Sequence, residues 1–213
     1  GDSLLYFKTP SIGSKNGDGF TSMSEIPLAN VSSGFYTESQ NVTLNVKSGT
    51  IYYTTDGSKP TKYSRVYNGE TIKVDKNMSI RAVTYDGDKI PSETVTYNYF
   101  INSPDYQHPV IKISVKDSDL FGSDGIYVNY QRDDEKEINL SFYENGVEQF
   151  SVDCGLKIFG AYSRTFTKKS FSVHFRSEYG TSRLEYPVFG DDGLQSFNKL
   201  VLRSGSQSLY TTD

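Results

Sequence analysis

The chain has 213 residues, with 17 Tyr, 13 Phe and no Trp, and its 26 acidic and 22 basic residues leave a formal charge of -4. Interspersed charge of that size offers no basic field for nucleic acid or an anionic membrane, and no apolar run approaches the roughly 20 residues that span a bilayer. One cysteine, Cys154, excludes an internal disulfide framework and an all-cysteine metal site; beside Gly155 it reads as a small buried hydrophobe.

Leu4 to Phe7 reads as the middle of a strand close behind Gly1, so the chain is expected to be cut from a longer polypeptide, with Gly1 a cloning scar. From Thr9 to Ala29 the residues are rich in Gly, Ser, Asn and Pro, a linker composition, and 1–31 is assigned to an extended segment. Period-two patterning starts at Val42 and Leu44, and 50–55 is a run of β-branched and aromatic residues; both read as strands. Asp56-Gly57 reverses the chain after that run, because Gly accepts positive φ, and Pro60 keeps the next segment out of a central ladder. The runs 79–85, ended by Asp86-Gly87, and 95–100 complete a first module over 32–103. Its short, turn-punctuated strands predict an immunoglobulin-like β-sandwich.

The turn residues Asn102 to Asp105, and the restriction that Pro109 places on His108, mark a boundary. A second, antiparallel-β module is predicted over 108–213. Residues 110–115 alternate partially and 138–142 strictly, and Asn145-Gly146 carries a strong hairpin signal before 147–152. Phe171, Val173 and Phe175 alternate with Ser172, His174 and Arg176, sending apolar and polar sets to opposite faces; 199–203 repeats the pattern through Leu200 and Leu202. No window sustains a helical period, so a helix is expected only as a short piece around 193–197. The fold class is mainly β.

Residues able to carry chemistry are few. His108 and His174 stand apart, without Cys or carboxylates at ligand spacing, and read as solvated. Asp117 to Gly125 has alternating carboxylates, but Phe121 takes the place of a third oxygen ligand and no Glu closes the loop, so it reads as a plain loop and not as a calcium site. Asp133-Asp134-Glu135 and Asp191-Asp192 read as solvated carboxylates. Gly155 and Gly160 flank a four-residue gap as in phosphate loops, yet Ala161-Tyr162 replaces the Lys-Ser/Thr that would hold phosphate and magnesium. Lys157, Arg164, Lys168 and Lys169 can converge on a phosphate or an acidic surface if neighbouring strands carry them; an exposed sheet face is the competing reading. Asn30, Asn41, Asn77 and Asn139 head Asn-X-Ser/Thr triplets, which matter only in a eukaryotic secretory setting.

Two stretches carry a family resemblance. Ile51 to Thr61 (IYYTTDGSKPT), with Tyr67, Ile80 to Val83 and Val95 to Tyr97, resembles the chitobiase/β-hexosaminidase C-terminal module over about 32–101. That resemblance implies an immunoglobulin-like accessory spacer without catalytic residues. In the second half, Gly125 to Val128, Gly155 to Ile158, Gly160, Ser163-Arg164, Lys168 to Phe171, Phe175 to Gly180, Leu184, Tyr186-Pro187, Phe189 and Leu202-Arg203 follow one another in a familiar order. From about 108 to 205 they resemble the opening of the CotH family of bacterial spore-coat and cell-surface proteins. Some members of that family have a protein-kinase-like fold and phosphorylate secreted proteins. The resemblance implies ATP and magnesium as cofactors of an intact parent, with the catalytic and metal-binding carboxylates in a later helical part beyond Asp213. Within this chain it assigns no catalytic residue, metal ligand or cofactor. Lys157 stands where the family often has Arg, and Phe159 where a second basic residue is frequent, which weakens a nucleotide-binding reading. Leu4 to Pro10 resembles the last strand of a lamin-tail-like domain.

The sequence therefore reads as a non-catalytic structural or interaction fragment of a secreted bacterial protein, extracellular or at the cell surface. Its partners would be neighbouring domains of the parent or other surface proteins. Phosphoryl transfer needs positioned metal ions and a group that orients the acceptor, and an N-terminal sheet alone does not supply them. The enzyme alternative is part of a secreted ATP-dependent protein kinase, with Lys157, Arg164, Lys168 and Lys169 as phosphate contacts. A second alternative is a carbohydrate- or cell-wall-binding module, since tyrosines offer stacking faces to polysaccharide, although sugar platforms usually lean on Trp. The last residues, up to Asp213, are expected to leave an unpaired strand edge.

Overall fold

A computed structural model describes residues 19–20, 22–103 and 108–205. The strand expected at 4–7, the lamin-tail likeness and the expected final edge lie outside them. The chain divides into two compact units, 1–107 and 108–213.

The strands of the first unit are β1 (Leu28–Ala29), β2 (Gly34–Tyr36), β3 (Gln40–Val42), β4 (Leu44–Asn45), β5 (Thr50–Thr54), β6 (Arg65–Val66), β7 (Ile72–Val74), β8 (Met78–Tyr85) and β9 (Val95–Ile101). One sheet has the order β2-β9-β8-β5-β6, with β2 and β9 parallel, while β3 pairs with β7 and β1 with β4. Alternation aims Ile51, Tyr53, Ile80, Ala82, Tyr99 and Ile101 at one face, where they bury Val42, Leu44, Ile72 and Val74. Burying each such side chain contributes about 1.5–3 kcal/mol, enough to hold two facing layers together. The unit is an immunoglobulin-like β-sandwich, as the patterning predicts.

Some of the buried positions are polar. Ser79 Oγ donates to Asn98 Oδ1 (2.6 Å) and Arg81 Nε to Thr96 Oγ1 (3.3 Å), both across directly opposed residues of β8 and β9. Arg81 Nη1 also donates to the Gly57 carbonyl (3.2 Å), so a fully buried guanidinium anchors the Asp56-Gly57 turn. With Gly57 at φ 84°, that turn opens the longer 55–64 connection from β5 to β6. Residues 22–29, expected within the linker, run extended against this unit. Ser24 N donates to Ile90 O (2.8 Å), β1 pairs with β4, and Tyr97 Oη donates to Pro27 O (2.8 Å). A segment too poor in apolar residues for its own core still satisfies its backbone on a neighbour.

The second unit contains β10 (Val110–Ser114), α1 (Asp117–Phe121), β11 (Lys136–Glu144), β12 (Val147–Phe159), a 3-10 turn (Tyr162–Thr165), β13 (Ser170–His174), β14 (Leu184–Glu185), β15 (Ser196–Phe197) and β16 (Lys199–Leu202). An antiparallel sheet runs β10-β11-β12-β13-β16, with β14-β15 as a separate pair. Its apolar face gathers Ile138, Leu140, Cys154, Leu156, Ile158 and Val173 under Ile126, Leu184 and Phe197. Cys154 is buried there, as expected of a small hydrophobe. Asn145 and Gly146 both have positive φ (51° and 76°) between paired Glu144 and Val147, the hairpin geometry that their sequence predicts. Around 193–197 the structure has no helix. Gly190 at φ 88° turns the chain, and Phe197 is buried in the β14-β15 pair. The short helix is instead α1, inside the stretch read as a plain loop.

Candidate functional site

Opposite its apolar core, the second sheet presents Gly155, Lys157 and Phe159 of β12, Ser170, Ser172 and His174 of β13, and Lys199 and Val201 of β16. The register sets Lys157 beside Ser172, and His174 between Gly155 and Lys199. Residues 133–135 lead into β11, whose Lys136 pairs with Leu156, so they run beside the far end of β12. Two-residue spacing then puts Asp133 and Glu135 on the Lys157 side.

Lys157 Nζ donates to Asp133 Oδ2 (2.6 Å), and Arg164 Nη2 lies 3.8 Å from Oδ1 of the same carboxylate. Arg164 belongs to the 3-10 turn that follows Gly160, and it is tethered there by Nε donating to the Gly160 carbonyl and Nη1 to the Tyr130 carbonyl (3.5 Å). Gly160, at φ 114°, permits that abrupt exit from β12. The cationic side chains are 17% and 25% exposed, against 75% for Asp133. The hydrogen bond from Lys157, with added attraction from Lys157, Arg164 and His174, holds the Asp133 carboxyl below its ordinary range.

The other two predicted cations go elsewhere. Lys169 is 8% exposed, and its Nζ donates to the carbonyls of Arg164 (2.6 Å) and Phe166 (2.9 Å) while sitting 4.1 Å from the Tyr130 ring centre. It props up the turn that carries Arg164. Lys168 is exposed at the mouth of an apolar cleft of about 580 Å³ lined by Ile111, Phe142, Phe171 and Leu202. Of the four candidates, only Lys157 and Arg164 meet on one group.

Beside them lies a cluster that sequence reasoning missed. Arg176 grips Glu135 with two hydrogen bonds, Nε to Oε1 (2.9 Å) and Nη2 to Oε2 (3.0 Å), and the Tyr179 hydroxyl comes close to the same carboxylate. Burial alone would raise the Glu135 pKa; the bonds from Arg176 and the nearby Tyr179 hydroxyl outweigh it and hold the carboxyl below its usual range. Burial, then the proximity of Glu135, pushes the Tyr179 phenol up to about 12. A Cβ on Gly155 would lie 2.0 Å from Glu135 Oε1, so glycine is what lets the carboxylate cross the sheet here. His174, read as solvated, is partly buried: burial first, then Lys199, Arg176 and Lys157, lower its pKa against the opposing pull of Glu135. Its Nε2 is 3.0 Å from the Oγ of buried Ser172, a pairing that orients the ring. Asp133 is three-quarters exposed, as read, while Glu135 is largely buried; the all-charged run 133–137 carries no alternation that separates the two.

His108, Asp191 and Asp192 are exposed. Among the described residues, no group of three or more His, Cys, Asp or Glu is placed to hold a metal ion. The first unit has a groove of about 650 Å³ lined by Tyr53, Asp56, Ser58, Arg65 and Glu70. In it Tyr53 Oη donates to Glu70 Oε1 (2.9 Å), which Arg65 Nη2 approaches to 3.1 Å. Burial and that hydrogen bond push the Tyr53 phenol up to about 12. Tyr63, on the neighbouring loop, is 86% exposed.

Neither the curated proteins nor the solved structures contain a match to this chain. Residues 31–96, which hold β2 to β8, the first two residues of β9 and the Asp56-Gly57 turn with its arginine anchor, match the family model of the chitobiase/beta-hexosaminidase C-terminal domain.

Proposed function

We propose that the chain is a non-catalytic structural and interaction fragment of a secreted bacterial surface protein, in which an immunoglobulin-like spacer accompanies a β-sheet unit of the CotH type. The observation that carries the spacer role is the family match over 31–96. The CotH part rests on the residue resemblance over about 108–205. Gly155, Lys157, Arg164, Arg176 and Tyr179 gather around two carboxylates, Asp133 and Glu135, although they are scattered along the sequence. Its partners are neighbouring domains or other surface proteins. The kinase alternative places ATP and magnesium in the intact parent and needs Lys168 and Lys169 to join Lys157 and Arg164 as phosphate contacts, against the carbonyl bonds that hold Lys169 in this fold. Melting curves separate the two. A spacer keeps its Tm when ATP and magnesium are added, whereas a rise that Lys168→Ala abolishes would replace the spacer reading with the kinase one.

Exposed Tyr63 favours a second reading, a carbohydrate- or cell-wall-binding module, because its ring is open to solvent next in sequence to Ser64 and Arg65, which line the groove. On a glycan array the wild type would then bind and Tyr63→Ala would not. A blank array for the wild type removes this reading.

A further inference from the structure

We propose that the outer edge of β16 binds an extended segment of a partner protein, one that alternates apolar and acidic residues and adds to the second sheet as a further strand. This docking edge gives the chain's interaction role a partner chemistry, and it rests on that role. Among the described residues β16 ends the order of its sheet. The ladder to β13 decides which of its backbone groups face outward. Phe175 N donates to Asn198 O (3.0 Å), so the hydrogen-bonded positions are Asn198 and, at two-residue steps, Leu200 and Leu202. The Ser204 amide continues the inward set by donating to Ser170 Oγ (3.0 Å). The amides and carbonyls of Lys199, Val201 and Arg203 therefore point away from the sheet, a row that an incoming strand can pair.

Both flanks of this edge are hollow. On the core side lies the apolar cleft of about 580 Å³, and on the opposite side a second cavity of about 310 Å³ bordered by Phe159 and Ser170. Val201, Arg203 and Ser204 line both, as residues on a rim between two hollows do. A strand added here sends alternate side chains to the two sides. One set reaches the cleft at Phe171 and Leu202, and the other lies over the face of Lys199 and Arg203. None of the described residues lining either cavity is Asp or Glu, whereas Arg203 belongs to both and exposed Lys168 to the cleft. The first set is therefore apolar and the second acidic. Opposite charges facing each other across strands stabilise the pairing, and like charges oppose it. A second copy of the chain fits poorly for that reason: antiparallel pairing centred on Val201, which would join the two apolar faces, sets Lys199 opposite Arg203.

The test titrates the full chain into a short fluorescein-labelled peptide in which Val and Glu alternate, with a Val-Lys peptide as control, and follows anisotropy. The wild type is expected to bind the glutamate peptide about tenfold more tightly than the lysine peptide. Val201→Pro removes one outward amide and no ladder bond to β13, and should weaken binding about tenfold, whereas Val201→Thr keeps the amide and should bind as the wild type does. Lys199→Glu together with Arg203→Glu should reverse the preference between the peptides. Near-ultraviolet circular dichroism checks that each variant is folded. No binding by the wild type, or binding that survives Val201→Pro or ignores the sign of the peptide, overturns the proposal. Two reassignments of the edge overturn it as well. A dimer mass in light scattering that Val201→Pro abolishes gives the edge to a second copy. Peptide binding that appears only with Leu209→Ser and Tyr210→Ser combined gives it to the chain's own residues 206–213. The interaction role itself is decided separately, by the melting curves with ATP and magnesium.

Discussion

Lys169 keeps a charge in a buried place because two carbonyls and two tyrosine rings receive it. Lys169→Met retains the length but leaves those carbonyls unbonded, and is expected to lower stability by about 1–3 kcal/mol in urea unfolding. Lys168→Ala, one residue away and exposed, should stay within about 0.5 kcal/mol. Equal midpoints for the two variants would contradict the difference in their surroundings. Thr84 shows the opposite case: its Oγ1 is buried with no hydrogen-bond partner among the described residues. Thr84→Val removes that unsatisfied hydroxyl and should raise the unfolding midpoint, by up to about 1 kcal/mol in stability. By sequence alone the four clustered cations were equivalents; only burial and the direction of each ammonium distinguished them.

The elements that sequence predicted well are those whose signals are local. Asn145-Gly146 sits between β11 and β12 with both residues at positive φ, a conformation that the dipeptide itself favours. Gly155 is different, since its role depends on Glu135 arriving from the start of another strand. Its spacing to Gly160 invites comparison with a phosphate loop, which Ala161-Tyr162 already argues against; it lies inside β12, where its missing side chain makes room for the Glu135-Arg176-Tyr179 cluster. Gly155→Ala should displace Glu135 and cost about 1–3 kcal/mol through overpacking. The check is loss of the Arg176 side-chain signal characteristic of the ion pair, together with a lower Tm. An unchanged Arg176 signal would show that the carboxylate does not need the glycine.

At the scale of the whole molecule, these groups set a pH dependence of one sign. The folded pKa of His174 lies below its ordinary value of 6.5, so folding favours the neutral ring; that stability is complete above 6.5 and is lost as pH falls through the folded value. Glu135 and Asp133 are depressed from 4.5 and 3.8, and their contribution is likewise present above those values and lost on further acidification. Tm should therefore be flat from about pH 7 to 9, below the range where the raised Tyr53 and Tyr179 phenols act, and fall in two stages toward acid. His174→Gln should remove the upper stage alone; a curve superimposing on the wild type between about pH 5 and 7 would rule out His174 as its source.

The residues by themselves determined the mainly β class, the sandwich of the first unit, the hairpin at 145–146 and the burial of Cys154. Each follows from alternation, turn chemistry or polarity acting within a few neighbouring residues. Tertiary structure decided the docking of 22–29 through Tyr97 and Ile90, the β15 pairing where a helix was expected, and the partners of every cation. Lys157 finds Asp133 across 24 positions, and Arg176 finds Glu135 across 41. Such meetings depend on strand register and on how the chain returns to a sheet, and no short window of sequence encodes either.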